Sequence, residues 1–140
     1  FTADHLLNLA RNRRIPIKSF LMNSRLVAGI GNIYANEILF AARIHPLRAV
    51  HRLTQKEWRR IIRESRRILL LAIEAGGSTI SDFLGASGHP GYFQLQLQAY
   101  GRKTLPCLRC GQEIVRSTLA GRATYHCPAC QQADDDTTIA

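Results

Sequence analysis

The 140-residue sequence predicts a mainly α fold with a small metal-stapled β-hairpin near its end. Three observations carry that prediction. Apolar residues recur at helical spacing through most of the first 75 positions, and cap and stop residues punctuate those stretches. All four cysteines fall in one segment, Cys107-Leu-Arg-Cys110, then sixteen residues, then Cys127-Pro-Ala-Cys130.

Thr2 caps a first helix whose apolar side is Leu6, Leu7 and Leu9, ahead of the basic cluster Arg11, Arg13 and Arg14. Pro16, preset for a first helical turn, opens a second helix in which Phe20 and Leu21 follow Ile17 at helical spacing, until Asn23-Ser24 breaks the pattern. Gly29-Ile-Gly31 permits backbone angles other residues resist, and Asn32 is a strong N-cap residue. The helix it starts runs from Ile33 to about Ala42 and is apolar on most sides, which reads as buried. His45-Pro46 ends it.

Thr54-Gln-Lys-Glu57 is a capping box. The helix it opens carries Trp58, Ile61, Ile62, Ser65, Leu69, Ala72 and Ile73 on one face, and Gly76-Gly77 stops it. Arg59, Arg60, Arg63, Arg66 and Arg67 occupy the other face. With Glu64 among them they read as a solvated face in preference to a nucleic-acid patch. Thr79 to Leu84 reads as a short helix or turn, and Gly85-Ala-Ser-Gly88-His-Pro-Gly91 as loop. Phe93, Leu95, Leu97 and Ala99 alternate with glutamines in a strand-like pattern.

Two C-x-x-C pairs at this separation place four thiolates on the corners of a tetrahedron, the pattern of a structural zinc site. Four ligands leave no open position, so the metal folds the segment and does no catalysis. Two disulfides are the alternative; the spacing and the lack of a visible secretory signal favour the metal. Between the pairs, Glu113 to Leu119 alternates and is rich in β-formers, Ala120-Gly121-Arg122 makes a turn with Arg122 at its tip, and Ala123 to His126 returns. His126 reads as a solvated histidine beside a filled ligand shell.

Nineteen Lys and Arg against ten Asp and Glu give a net charge of +9, and three of the acids are Asp134, Asp135 and Asp136, so the body is more basic still. Sixteen of the basic residues are arginine, whose planar fork suits phosphates and base edges. A polyanion is therefore the expected partner. No apolar run reaches the span of about twenty residues that a membrane helix needs. Together with the missing signal peptide this reads as a soluble, cytoplasmic protein with no membrane partner. Gly29-x-Gly31-Asn32 before a helix makes a nest of N–H groups where a phosphate fits. The first residue is Phe1, which reads as the start of a fragment or a processed product.

Pro16-Ile-Lys18, Val27 to Glu37, Ile44-His-Pro46, Glu74 to Thr79, Pro90 to Phe93, Tyr100 to Lys103 and the four-cysteine ribbon, collinear over nearly the whole chain, resemble the C-terminal part of bacterial formamidopyrimidine-DNA glycosylase. The resemblance implies a helix–two-turn–helix domain over 1–102, a β-hairpin zinc finger over 103–132 with one structural Zn2+ on Cys107, Cys110, Cys127 and Cys130, and a disordered acidic tail over 133–140. It implies a bacterial base-excision-repair role on double-stranded DNA holding an oxidised base or abasic site. Asn32 and Arg122 would grip phosphates flanking a flipped-out nucleotide, with Lys18, Gly31 and Tyr34 in the same DNA-facing set. Residues 79–93 resemble the loop that folds over the base in the branch excising 8-oxoguanine; Gly85, Ser87, Gly88, Gly91 and Tyr92 are its candidate residues. That loop tilts the expected lesion toward oxidised purines.

The family's chemistry uses an N-terminal proline amine that forms a Schiff base with the sugar, and a neighbouring glutamate. Neither has a counterpart in this sequence, so no catalytic residue is assigned, and the missing N-terminal catalytic domain is an expected partner. A stand-alone zinc-containing nucleic-acid binder and a zinc-ribbon protein-interaction module are the competing readings.

Overall fold

The computed structural model describes residues 2–26, 30–74 and 96–134. Among them are four α-helices, a 3-10 turn and one hairpin: α1 (Ala3–Ala10), α2 (Ile17–Met22), α3 (Asn32–Ala42), the turn Val50–Arg52, α4 (Gln55–Glu74), β1 (Val115–Leu119) and β2 (Arg122–His126). The five loop residues Gly85, Ser87, Gly88, Gly91 and Tyr92, like the helix or turn expected at 79–84, lie outside the described residues.

Local signals set the helix starts. Thr2 accepts from His5 N at 3.2 Å to cap α1. Thr54 and Glu57 form the reciprocal box, Glu57 N donating to Thr54 Oγ1 at 3.1 Å and Thr54 N to Glu57 Oε1 at 2.9 Å, which satisfies two of the donors a helix start leaves open. Two expected starts shift by one residue. Pro16 is the extended N-cap of α2 instead of its first helical residue. Gly31, not Asn32, caps α3, which frees the Asn32 side chain for a distant partner. Arg43, in the left-handed conformation at φ 62, closes α3 before His45-Pro46 is reached.

The helices bury one core. Leu6 and Ala10 of α1, Phe20 and Leu21 of α2, Ile38 and Leu39 of α3, and Trp58 and Ile61 of α4 are all excluded from solvent. Phe20 and Trp58 meet ring to ring at 5.5 Å. The buried face of α4 ends on Ile68 and Ala72, while Ile73 is 69% exposed. The stripe was therefore expected one position out of phase at its end: Ile68, three residues from Ser65, faces the core, and the last turn runs past it. Helix α2 is hung on the 46–50 segment by Ile17 N to Arg48 O at 2.7 Å and Lys18 N to Pro46 O at 3.2 Å.

A second, smaller core belongs to the finger and α3 jointly: Phe40, Ala99, Cys107, Ile114 and Cys127. Residues 96–99 form no strand. Their backbone N–H groups turn instead onto a side chain of α3, as described below. The hairpin is antiparallel with Leu119 opposite Arg122, so Ala120-Gly121 is a two-residue turn. Both residues have positive φ, 51 and 75, the mirror-image turn whose twist matches paired strands. Arg122 is thus the first residue of β2, beside the tip. The tail is not free from its start: Asp134 pairs with Arg48 at 2.9 Å and with Arg52 at 3.2 Å.

Candidate nucleic-acid interface and metal centre

The four cysteines come together from two like turns. Gly111 N donates to Cys107 O at 2.8 Å, and Gln131 N to Cys127 O at 2.9 Å. Gly111 takes φ 82, which favours glycine. The four Sγ atoms lie within 4.8 Å of one another, Cys107 and Cys130 at 3.9 Å, Cys110 and Cys127 at 3.5 Å. Sulfurs bound at about 2.3 Å around a tetrahedral zinc lie about 3.8 Å apart, so the set fits that ion. No cysteine is in a disulfide. Backbone N–H groups of Arg109, Gln112 and Cys130 point at Cys107, Cys110 and Cys127 sulfurs at 3.4 Å each, which stabilises thiolates.

The finger is bolted to α3 rather than hinged on a linker. Arg109 stacks over the Phe40 ring at 3.9 Å and donates to Phe40 O. Gln131 accepts from Cys127 N at 2.9 Å and donates to Ile44 O at 3.0 Å. The carboxylate of Glu37, buried in α3, accepts from Gln98, Ala99 and Tyr100 N at 2.7, 2.9 and 2.7 Å. Burial pushes its carboxyl above the usual range, against the pull of those three N–H groups and Arg102. His126 is half-buried and not freely solvated: its ring packs on His45 at 4.5 Å, and burial with His45 lowers its pKa to about 4.

Lys18 and Asn32, grouped with Arg122 by the resemblance, both reach the backbone of β2 at the residue after Arg122. Lys18, expected in the DNA-facing set, is 1% exposed. Its Nζ donates to Thr124 Oγ1 at 2.9 Å and to Ala123 O at 3.4 Å. Asn32 Nδ2 reaches the same carbonyl at 3.1 Å, and Asn36 Nδ2 at 3.3 Å. Asn36 in turn accepts from Tyr125 N at 2.7 Å. Beside them, a groove of about 250 Å³ opens between α2 and the hairpin tip, lined by Lys18, Ser19, Asn23, Leu119, Ala120 and Arg122. Arg122 is exposed there. Burial and then the Arg122 charge lower the Lys18 pKa from 10.5 to about 8.

Gly31 is exposed at φ −68, a backbone any residue adopts, and a Cβ there would meet nothing within 4 Å. Neither strain nor close packing within the fold therefore requires glycine there. Tyr34 is half-buried against the helical core.

Sequence reasoning missed Asn36, Glu37, Arg109, Thr124 and Gln131 as joints of this site. A signal existed for the first two: an Asn-Glu pair inside an otherwise apolar helix needs buried partners. Among the described residues, no helix is long and apolar enough to cross a membrane.

Comparison with known proteins matches residues 1–84 to the family model "Formamidopyrimidine-DNA glycosylase H2TH domain" and residues 105–133 to "Zinc finger found in FPG and IleRS". The chain is 44% identical to the formamidopyrimidine-DNA glycosylase of Vibrio cholerae over 131 residues, 94% of this chain and 49% of that one. It is 47% identical to that of Legionella pneumophila, covering 94% and 48%. It thus spans about half the length of these relatives. Among solved structures, Fpg from Thermus thermophilus superposes with a TM-score of 0.83 at 42% identity, over 95% of this chain and 51% of that one. Lactococcus lactis Fpg in complex with DNA containing an abasic site gives 0.83 at 38%, over 95% and 48%.

Proposed function

The chain belongs to the formamidopyrimidine-DNA glycosylase family, with its helix–two-turn–helix domain and a four-cysteine finger that holds one structural zinc, and on that premise we propose that it is the DNA-gripping C-terminal part of a base-excision-repair glycosylase and abasic-site lyase. The observation that carries this reading is that Lys18 and Asn32 meet on the Ala123 carbonyl beside a groove lined by Lys18 and the exposed Arg122. A duplex backbone offers what such a groove takes: anionic oxygens, bound through point charges and amide donors without regard to sequence.

In this reading Arg122 and Asn32 hold phosphates on either side of the damaged nucleotide, and Lys18 supplies charge at the groove floor. Open space above exposed Gly31 lets a phosphate approach the N-terminus of α3, where the helix dipole favours an anion. Zinc supplies no chemistry at the sugar; it holds the hairpin that presents Arg122. Oxidised purines are the lesion class, on the strength of the 79–93 loop sequence with Gly85, Ser87, Gly88, Gly91 and Tyr92. The Schiff-base amine comes from a preceding domain, so this chain alone binds and does not turn over.

The test is binding of this chain to a duplex carrying a tetrahydrofuran abasic-site analogue, followed by anisotropy over a salt series. Affinity that falls steeply with salt is expected; absent or salt-insensitive binding overturns the reading. Borohydride treatment with natural abasic DNA should trap no covalent adduct on this chain.

A further inference from the structure

Thr124 sits at the join between the groove's two cations. Its side chain is fully excluded from solvent. The hydroxyl accepts from Lys18 Nζ at 2.9 Å and donates to the backbone carbonyl of Arg122 at 3.2 Å. A hydroxyl has one proton to give and lone pairs to take with, and here each is committed to a different cationic residue. We infer that Thr124 is a positioning residue that aligns Lys18 and Arg122 as one unit toward a phosphate, an inference that rests on the DNA reading above.

The neighbouring carbonyl shows why the alignment needs a hydroxyl. Ala123 O faces three donors, Lys18, Asn32 and Asn36, at 3.4, 3.1 and 3.3 Å, but an amide oxygen has two lone pairs. No one of the three reaches the usual separation of about 2.9 Å. Asn36 is fixed independently, by Asn32 O at 2.9 Å and Tyr125 N, so it remains on the carbonyl when others leave. Asn32 and Lys18 can therefore turn to a phosphate oxygen without orphaning Ala123 O. During that exchange the Thr124 hydroxyl is the one short contact that keeps the Lys18 ammonium over the groove, and through Arg122 O it ties the start of β2 to the same point. Without it the ammonium would keep only the oversubscribed carbonyl.

A double-mutant cycle separates positioning from mere packing. Affinity for the tetrahydrofuran duplex is measured for the native chain, Thr124→Val, Lys18→Met and the double variant, with zinc content checked in each. Loss of one hydrogen bond to a charged group predicts that Thr124→Val weakens binding about fivefold or more, that it costs clearly less on Lys18→Met, where only the tie to Arg122 O remains to be lost, and that Thr124→Ser restores the affinity valine loses. An equal loss in both backgrounds, or none in either, overturns the proposal. Where valine does not fold with zinc, Thr124→Ala takes its place; failure of both to fold makes Thr124 a folding residue and overturns it too. If the native chain binds no DNA, the phosphate reading fails separately. The Lys18 amine, titrated by NMR, then decides alone: its pKa should drop in Thr124→Val, and an unmoved value refutes the coupling.

Discussion

Glu37 Oε2 accepts the backbone N–H of Tyr100 at 2.7 Å across 63 residues of chain. With Ala99 N on the same oxygen and Gln98 N on the other, this one carboxylate fixes the turn that leads into the finger. The finger's core residue Ala99 lies inside that turn, so the docking of the zinc module on α3 depends on it.

Replacing Glu37 by Gln leaves one oxygen where two are needed and points an NH2 at a backbone donor. A destabilisation of about 1–3 kcal/mol is expected, read as a lower denaturation midpoint. The Glu37 carboxyl is raised in the folded chain, so the folded state binds the proton more tightly. This contribution to stability is full below the unfolded value near 4.5 and is lost as pH rises through the folded one. Glu37→Gln should flatten that dependence in a pH series of denaturation curves.

Lys18 has the opposite sign in a different window. Its folded pKa, about 8, lies below the ordinary 10.5, so the charged amine costs stability at neutral pH and stability rises between about 8 and 10.5. DNA affinity should move the other way, weakening as the amine loses its proton above pH 8. In Lys18→Met both trends should shrink. An affinity profile identical to native through that range would remove Lys18 from the groove's chemistry.

Arg122 is exposed, and its side chain makes no structural hydrogen bond or ion pair among the described residues. Arg122→Ala should leave zinc content and the melting curve within experimental scatter. Duplex affinity should fall and the logarithmic salt slope drop by about one. Unchanged binding would assign the phosphate contact elsewhere.

Zinc removal should act on two parts unequally. Zinc is what joins the Cys107–Cys110 turn to the Cys127–Cys130 turn, so chelation should abolish hairpin amide protection and loosen Phe40 through Arg109 and Ile114. The helical core around Trp58 and Phe20 is built from other residues and should keep its helix signal. Simultaneous loss of all circular dichroism at 222 nm on chelation would mean that the two cores fold as one.

What the sequence by itself determined is what nearby residues decide among themselves. Thr54 and Glu57 are three positions apart and cap each other wherever the helix lies; Cys107 and Cys110 share one turn, and Ala120-Gly121 turns its own hairpin. Family kinship was legible too, because those local pieces occur in a fixed order. Tertiary structure decided the destinations of polar side chains whose partners are far away in the chain: Asn32 on Ala123, Lys18 on Thr124, Glu37 on Tyr100, Gln131 on Ile44. No local pattern encodes these, since a buried donor takes whichever acceptor packing delivers. Asn32 illustrates both sides. By type it is an N-cap, yet Gly31 takes that place, because the hairpin docked on α3 offers Asn32 an acceptor 91 residues away.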